Sequence, residues 1–324
     1  MHREENTATR PTRRGLVLAA AGMGLAASSL AGCGAGLPRG GLAAGREQEL
    51  GPGDEGFALY RVRRGDTLID LAPRFGLGYV ELAAANPGVD PWEPPRGTRL
   101  VVPTVRLLPP GRREGLLVNL ADMRLYHFPG GGRPHRHYPI GIGRDGHPTP
   151  RGSTTVVRKA VAPPWRPPAS VRAEKPFLPA VVPPGPDNPL GGHALYLGWP
   201  EYLIHGTNLP FSVGRHASNG CLRLYEEHIA ALHRAVPVGT RVSVVHEPVK
   251  LARIGAELWA EAHPSLRQAD EIEERRAFTP EVPRGVMRSI ARAAGPEAGR
   301  IDWELAKRVV LERRGCATRL TATA

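Results

Sequence analysis

Apolar positions along this chain come first as one unbroken run and then as short alternating stretches. Leu16 to Leu30 is apolar, rich in small residues and uncharged, and it follows a polar start carrying Arg10, Arg13 and Arg14. At 15 residues it falls short of the roughly 20 that a spanning helix needs. Residues 34–56 are Gly, Ala and Pro with mixed charge and no period, as in a flexible tether. Tyr60-Arg61-Val62 then alternates as a strand. Asp66 or Thr67 can cap a helix through Ile69, Leu71, Ala72 and Phe75. A second helical stretch holds Val80, Leu82 and Ala83 and is broken at Asn86-Pro87-Gly88, before a strand at Leu100-Val101-Val102. The order is β-α-α-β.

From residue 116 to 246 the pattern is strand-like. Leu116–Leu120 and Arg124–Phe128 flank a turn at Ala121-Asp122. Further strands are predicted at Tyr138–Ile142, Thr154–Val157, Ala194–Leu197, Tyr202–Ile204 and Arg241–Val245, with one clear helix at Tyr225–Ala235. Pro163 to Pro189 is a proline-rich loop whose length inside a compact domain points to a functional segment such as a lid. In 248–324, helical periodicity is weak over Val286–Ala294 and better over Ile301–Arg313. In the second stretch Trp303, Leu305, Ala306, Val309 and Val310 would share one broad face.

Composition fits a loop-rich, β-weighted protein, with 39 Gly and 34 Pro in 324 residues. The net charge is +12. Lysine stands only at Lys159, Lys175, Lys250 and Lys307, so the basic charge is almost all arginine, and it is scattered. No basic helix or aromatic-interleaved patch is present, so nucleic acid is not expected as a partner. A basic surface also suits an anionic envelope polymer. Cys33, Cys221 and Cys316 are far apart, which excludes a disulfide framework and a zinc finger.

The start of the chain, a charged region followed by a short apolar region and a small-residue site, is an export signal. Leu30-Ala31-Gly32-Cys33 resembles a bacterial lipobox, and Thr12-Arg13-Arg14-Gly15-Leu16 more weakly resembles a twin-arginine signal. The lipobox resemblance implies cleavage before Cys33 and a lipid anchor on its sulfur, in the periplasm or cell envelope and, where the cell has one, at an outer membrane. Tyr60, Val62, Gly65-Asp66-Thr67-Leu68, Ala85-Asn86-Pro87 and Gly97–Pro103 resemble a LysM module, which implies binding of peptidoglycan glycan strands.

The chemistry gathers in Tyr202-Leu203-Ile204-His205-Gly206-Thr207 and Ala217-Ser218-Asn219-Gly220-Cys221-Leu222-Arg223-Leu224. A thiol attacks a carbonyl as its thiolate, and a nearby imidazole can accept the proton. Glycine before the cysteine opens the backbone, so the N–H groups of Asn219, Gly220 and Cys221 can face a developing oxyanion. An exported, unpaired cysteine among glycine and polar residues is poor core material. A zinc set of His205, His216 and Cys221 lacks an i, i+4 histidine pair, so neither metal nor other cofactor is expected.

These segments, with Met123–Tyr126, Gly141-Ile142-Gly143, Pro148–Gly152 and Asn188–Gly191, resemble the L,D-transpeptidase family with the YkuD-type catalytic domain. Asn219 departs from the His that many members carry there. The resemblance implies a mainly β catalytic domain, a YkuD-like β-sandwich of mixed sheets with few helices. A small βααβ LysM domain and a short helical C-terminal extension complete the expected fold. The segments are then signal 1–32, tether 33–56, LysM 57–104, catalytic domain 114–247 and extension 248–324. It further implies Cys221 as nucleophile and His205 as base, with the Gly206 carbonyl orienting the imidazole. Arg223 and Ser218 are expected at the substrate, the former by forking onto a carboxylate or else by making a structural ion pair. The implied reaction is peptidoglycan 3→3 cross-linking, or attachment of a lipoprotein to stem peptides, through a thioester. Hydrolysis at the same thioester, and a non-catalytic wall-binding protein, are the alternatives.

Overall fold

The computed structural model describes residues 56–322. Cys33, the signal and the tether up to residue 55 lie outside the described residues. No helix among the described residues is long and apolar enough to cross a membrane.

The first module is β1 (Phe57–Arg61), α1 (Leu68–Arg74), α2 (Tyr79–Ala85) and β2 (Arg99–Pro103), with β1 and β2 antiparallel. Of the two capping candidates, Thr67 accepts from the Asp70 N–H at 3.0 Å. Asp66 instead takes the Tyr60 hydroxyl at 2.7 Å. Asn86 explains the Ala-Asn-Pro motif. Its buried amide donates to the carbonyls of Leu82 (2.9 Å) and Val101 (2.8 Å) and accepts from the Val101 N–H (2.7 Å), tying the end of α2 to β2.

The next stretch contains β3 (Gly115–Asn119), β4 (Arg124–Phe128), β5 (Arg136–Pro139), β6 (Ile142–Gly143), β7 (Gly152–Val161), α3 (Ala169–Glu174) and β8 (His193–Leu197). It continues with β9 (Leu203–His205), β10 (His216–Ser218), β11 (Leu222–Arg223), α4 (Glu226–Ala235) and β12 (Arg241–Val245). Eight of these strands make one sheet in the order β11-β9-β8-β7-β12-β3-β4-β5, and β6 pairs with β10 in parallel beside it. The architecture is mainly β, as expected. The predicted strand 138–142 divides in two: Ile140 bonds back to Met123, and Ile142 then leaves the main sheet to meet β10. The proline-rich loop contains the short helix α3. It is organised by Asn188, whose buried amide donates to the carbonyls of Pro163, Val182 and Pro183.

The C-terminal part corrects the sequence reading. Besides helices it holds a sheet of β13 (Val249–Ile254), β14 (Glu257–Ala262) and, after α5 (Leu266–Arg275), α6 (Val286–Ala294) and α7 (Trp303–Glu312), β15 (Thr318–Arg319). The period of two is masked in the sequence because charged residues occupy buried positions. Lys250 and Glu261 are directly opposed across β13 and β14, both fully buried and 2.8 Å apart. Lys250 also reaches Asp122 at 2.8 Å, and Glu261 accepts from the Leu107 N–H. Lys250, with His263 at 2.7 Å, holds the Glu261 carboxyl well below the usual range despite burial. Helix α5 had a readable signal, a capping box between Ser265 and Gln268. On α7 the buried face is Ala306 and Val310, flanked by Leu305 and Val309; Trp303 stands exposed, against expectation.

The LysM module is packed into the rest. Its apolar residues are continuous with the core under the main sheet. Glu81 on α2 is buried between Arg124 of β4 (2.6 Å) and Arg106 of the connecting segment. The α2 N–H groups of Tyr79 and Val80 bond to the carbonyls of Val213 and Gly214, just before β10. Asp90 pairs with Arg276 beyond α5 at 2.7 Å. The extension thus clamps the module onto the catalytic sheet. Removing one partner of a buried ion pair leaves an uncompensated charge and costs about 3–5 kcal/mol. Glu81→Ala, which strands two buried guanidinium groups, is expected to lose about that much in guanidinium chloride unfolding; a loss below about 1 kcal/mol would contradict this interface.

Candidate functional site

The site is built where β9 and β11 run parallel at the sheet edge. Leu222 pairs with Ile204 and Arg223 with His205. Ile204 and Leu222 are fully buried and face the core that α4 covers. Side chains alternate along a strand, so Leu203, His205, Cys221 and Arg223 share the opposite face. The parallel register therefore sets His205 beside Arg223, two residues after the predicted cysteine.

His205 is buried, and its Nδ1 lies 2.6 Å from the Gly206 carbonyl oxygen. A carbonyl can only accept, so Nδ1 carries the proton and Nε2 is the free base. Gly206 is held in turn by Glu226 at the start of α4. Its carboxylate accepts from the N–H of Thr207 (2.7 Å) and of Gly192 (2.9 Å). A methyl group at Gly206 or Gly191 would collide with this carboxylate. Glu226 thus fixes the turn that presents the orienting carbonyl. Sequence reasoning missed it because nothing in its helical position marks it as a backbone brace.

The cysteine loop is held by hydroxyls. Ser218 is buried; its Oγ donates to the Cys221 carbonyl at 2.6 Å and accepts from the Gly220 N–H at 3.1 Å. Two expectations change accordingly. Ser218 shapes the loop rather than facing a substrate, and the Gly220 N–H is already engaged and unavailable to an oxyanion. Thr149 completes the brace: its hydroxyl donates to the Gly220 carbonyl at 2.8 Å and accepts from the Gly143 N–H at 3.0 Å. Gly220 has φ +100°, and a Cβ there would strike the Tyr202 ring, so both its conformation and its neighbour require glycine.

The Cys221 thiol donates to the Glu201 carbonyl at 3.4 Å. Burial pushes its pKa up, with the Leu203 backbone and Arg223 pulling the other way. Burial lowers the His205 pKa to about 3, helped by Arg223 and opposed by the Gly206 bond. In the resting protein the proton therefore sits on sulfur and the imidazole is neutral. Among the described residues no carboxylate pairs with Arg223, and its buried Nε has no hydrogen-bond partner. The structural ion pair that was the alternative for Arg223 is not formed. Its own pKa is lowered by burial.

The other cysteine and histidine candidates stand apart from this surface. His216 pairs with Asp270 of α5 at 3.4 Å. Burial pushes the Cys316 thiol up to about 12, and it contacts the Arg314 carbonyl. The Asn219 side chain accepts from Arg144 Nε at 3.0 Å, and Arg144 also pairs with Glu174 of α3 at 2.8 Å. The proline-rich segment is thereby connected to the cysteine loop through the Arg144 guanidinium.

Comparison with known proteins agrees with this geometry. The profile of the YkuD family, the L,D-transpeptidase catalytic domain, matches residues 113–244, and that of the LysM domain matches residues 60–103. The Salmonella typhimurium protein named "Probable L,D-transpeptidase ErfK/SrfK" is 42% identical over 255 residues, covering 76% of this chain and 80% of its own. Escherichia coli K12 "Probable L,D-transpeptidase YcfS" is 39% identical over 72% of this chain and 75% of its own. "Probable L,D-transpeptidase YbiS" of the same strain is 47% identical over 56% of this chain and 60% of its own. A LysM domain and this catalytic domain together imply peptidoglycan as the polymer bound. The protein therefore belongs to the L,D-transpeptidase family, cell-wall acyltransferases of the YkuD type, and carries a LysM domain ahead of the catalytic sheet.

Proposed function

We propose that Cys221 is the nucleophile and His205 the general base of peptidoglycan L,D-transpeptidation, through a thioester on Cys221. The observation supporting this reading is the parallel β9–β11 register, which pairs His205, its Nδ1 anchored on Gly206, with Arg223 two residues after Cys221. His205 Nε2 takes the thiol proton as sulfur attacks the carbonyl of the third-position diamino acid in a tetrapeptide stem. With Gly220 engaged, the N–H groups of Asn219 and Cys221 are the proposed oxyanion donors. The imidazolium then protonates the departing D-alanine amine. An amine of a second stem, or of a wall-attached lipoprotein, opens the thioester, and the product is a 3→3 cross-link or a protein–peptidoglycan bond.

The electrostatics of this step turn on Arg223. A lone Arg223 guanidinium favours the thiolate and disfavours the imidazolium. A substrate carboxylate at Arg223 would neutralise that charge, raising the basicity of His205 while withdrawing support from the thiolate. We further propose that Cys33 carries the lipid anchor and that the enzyme works in the cell envelope. The support for this is the lipobox-like sequence together with a peptidoglycan-binding architecture. The extension 248–324 acts as a structural clamp.

Incubation with purified tetrapeptide muropeptides, read by mass spectrometry, is expected to give dimers with loss of D-alanine. Cys221→Ala is expected to abolish them and His205→Gln to reduce the rate at least about 100-fold. Tripeptides without dimers would instead establish a hydrolase. Undiminished dimer formation by Cys221→Ala would overturn the assignment.

The pKa directions make a second prediction. Because the Cys221 pKa is raised, its thiolate fraction grows only toward alkaline pH. Iodoacetamide alkylation of the free protein is expected to rise continuously past about pH 9, with Cys316 reacting more slowly still. A plateau already reached at about pH 7 would mean a preformed thiolate–imidazolium pair and contradict the resting state described above.

A further inference from the structure

The face that carries Cys221 and His205 extends across the sheet. Antiparallel register places His205 opposite Ala194 and Leu203 opposite Tyr196. Tyr196 is in turn opposite Arg158 on β7, and Ala194 opposite Ala160. Opposed residues point to the same face. Arg158, Tyr196 and Leu203 therefore form one row across three strands, beside a second row of Ala160, Ala194, His205 and Arg223, two residues after Cys221.

Arg158 reaches this face only because β7 is irregular. Val156 is buried on the core side, opposite Leu197. In a regular strand the residue two positions on would point to the same side. The register shifts between Val156 and Arg158, leaving Val157 as the extra, 52% exposed residue and turning Arg158 to the Cys221 face. Bulges that re-aim a side chain are concentrated beside active sites. Once there, the guanidinium is held over the Tyr196 ring, 3.4 Å from its centroid. Among the described residues no carboxylate pairs with it. A guanidinium fixed by stacking, with its fork of donors unspent, is a receptor for a planar anion.

Resting on the transpeptidase reading above, we propose that Arg158, positioned by Tyr196, binds a free carboxylate of the donor stem peptide that is set back from the scissile carbonyl. Tyr196 stands two strand spacings from β11 and Arg158 three, so the recognised group lies about 10–14 Å from the attacked carbon. This is too far for the carboxylate of the departing D-alanine. It fits a carboxylate on the second residue of the stem or at the end of the diamino acid side chain.

The test measures donor binding rather than turnover. Cys221→Ala protein, with and without Arg158→Gln, is titrated calorimetrically with a tetrapeptide donor. Two further donors are used, each amidated at one of the two candidate carboxylates. Arg158→Gln is expected to weaken binding of the free-acid donor about tenfold or more, with Arg158→Lys intermediate. One of the two amidated donors is expected to bind equally well whether or not the Arg158→Gln substitution is present. Unchanged affinity for the free-acid donor would overturn the proposal, as would an equal loss for all three donors. Turnover of the unmodified enzyme is a separate readout. Failure to release D-alanine would sink the transpeptidase reading while leaving the binding result to stand or fall by itself.

Discussion

The parallel pairing of β9 with β11 is the constraint on which the site depends. Two residues on each strand are in register, and the buried pair Ile204 and Leu222 decides which side faces the core. Because side chains alternate, burying that pair forces His205, Arg223 and Cys221 onto the other surface. A slip of one residue would bury the histidine with the core and expose Ile204. The chemistry of the site is therefore a consequence of hydrophobic burial on its reverse side.

Around that pairing the protein spends many hydrogen bonds on holding two turns. Glu226 braces the turn at Gly206, and through it the tautomer of His205. Ser218 and Thr149 brace the turn at Gly220, and through it the position of Cys221. The sulfur itself has only a long contact to the Glu201 carbonyl, and the imidazole is anchored through Nδ1 alone. A site arranged this way holds its backbone turns and the imidazole orientation in place, as preorganisation requires. Packing of the LysM helix α2 onto the segment before β10 carries the same rigidity into the glycan-binding module.

Much of this was legible in the sequence. The β-α-α-β order of the first module, the strands around the turn at Ala121-Asp122 and the helix α4 follow from periodicity and turn chemistry. What was not legible has physical causes. The hairpin of β13 and β14 buries Lys250 and Glu261 against each other, and a pattern scan reads charges as solvent-facing. The family resemblance sets Ser218 at the substrate; its burial and its two loop bonds give it another task. Arg158 was invisible because its face depends on a bulge, and a bulge reverses the very alternation by which sequence patterns assign faces.

In the proposed mechanism His205 presents a bare Nε2 to the thiol because Nδ1 is proton-bound to the Gly206 carbonyl. ¹⁵N NMR of the histidine side chains, with His205 assigned by substitution, reports this directly. The account predicts a neutral ring protonated at Nδ1, with no titration until the pH falls toward about 3. A ring protonated at Nε2, or one titrating near the ordinary imidazole value of about 6.5, would contradict it.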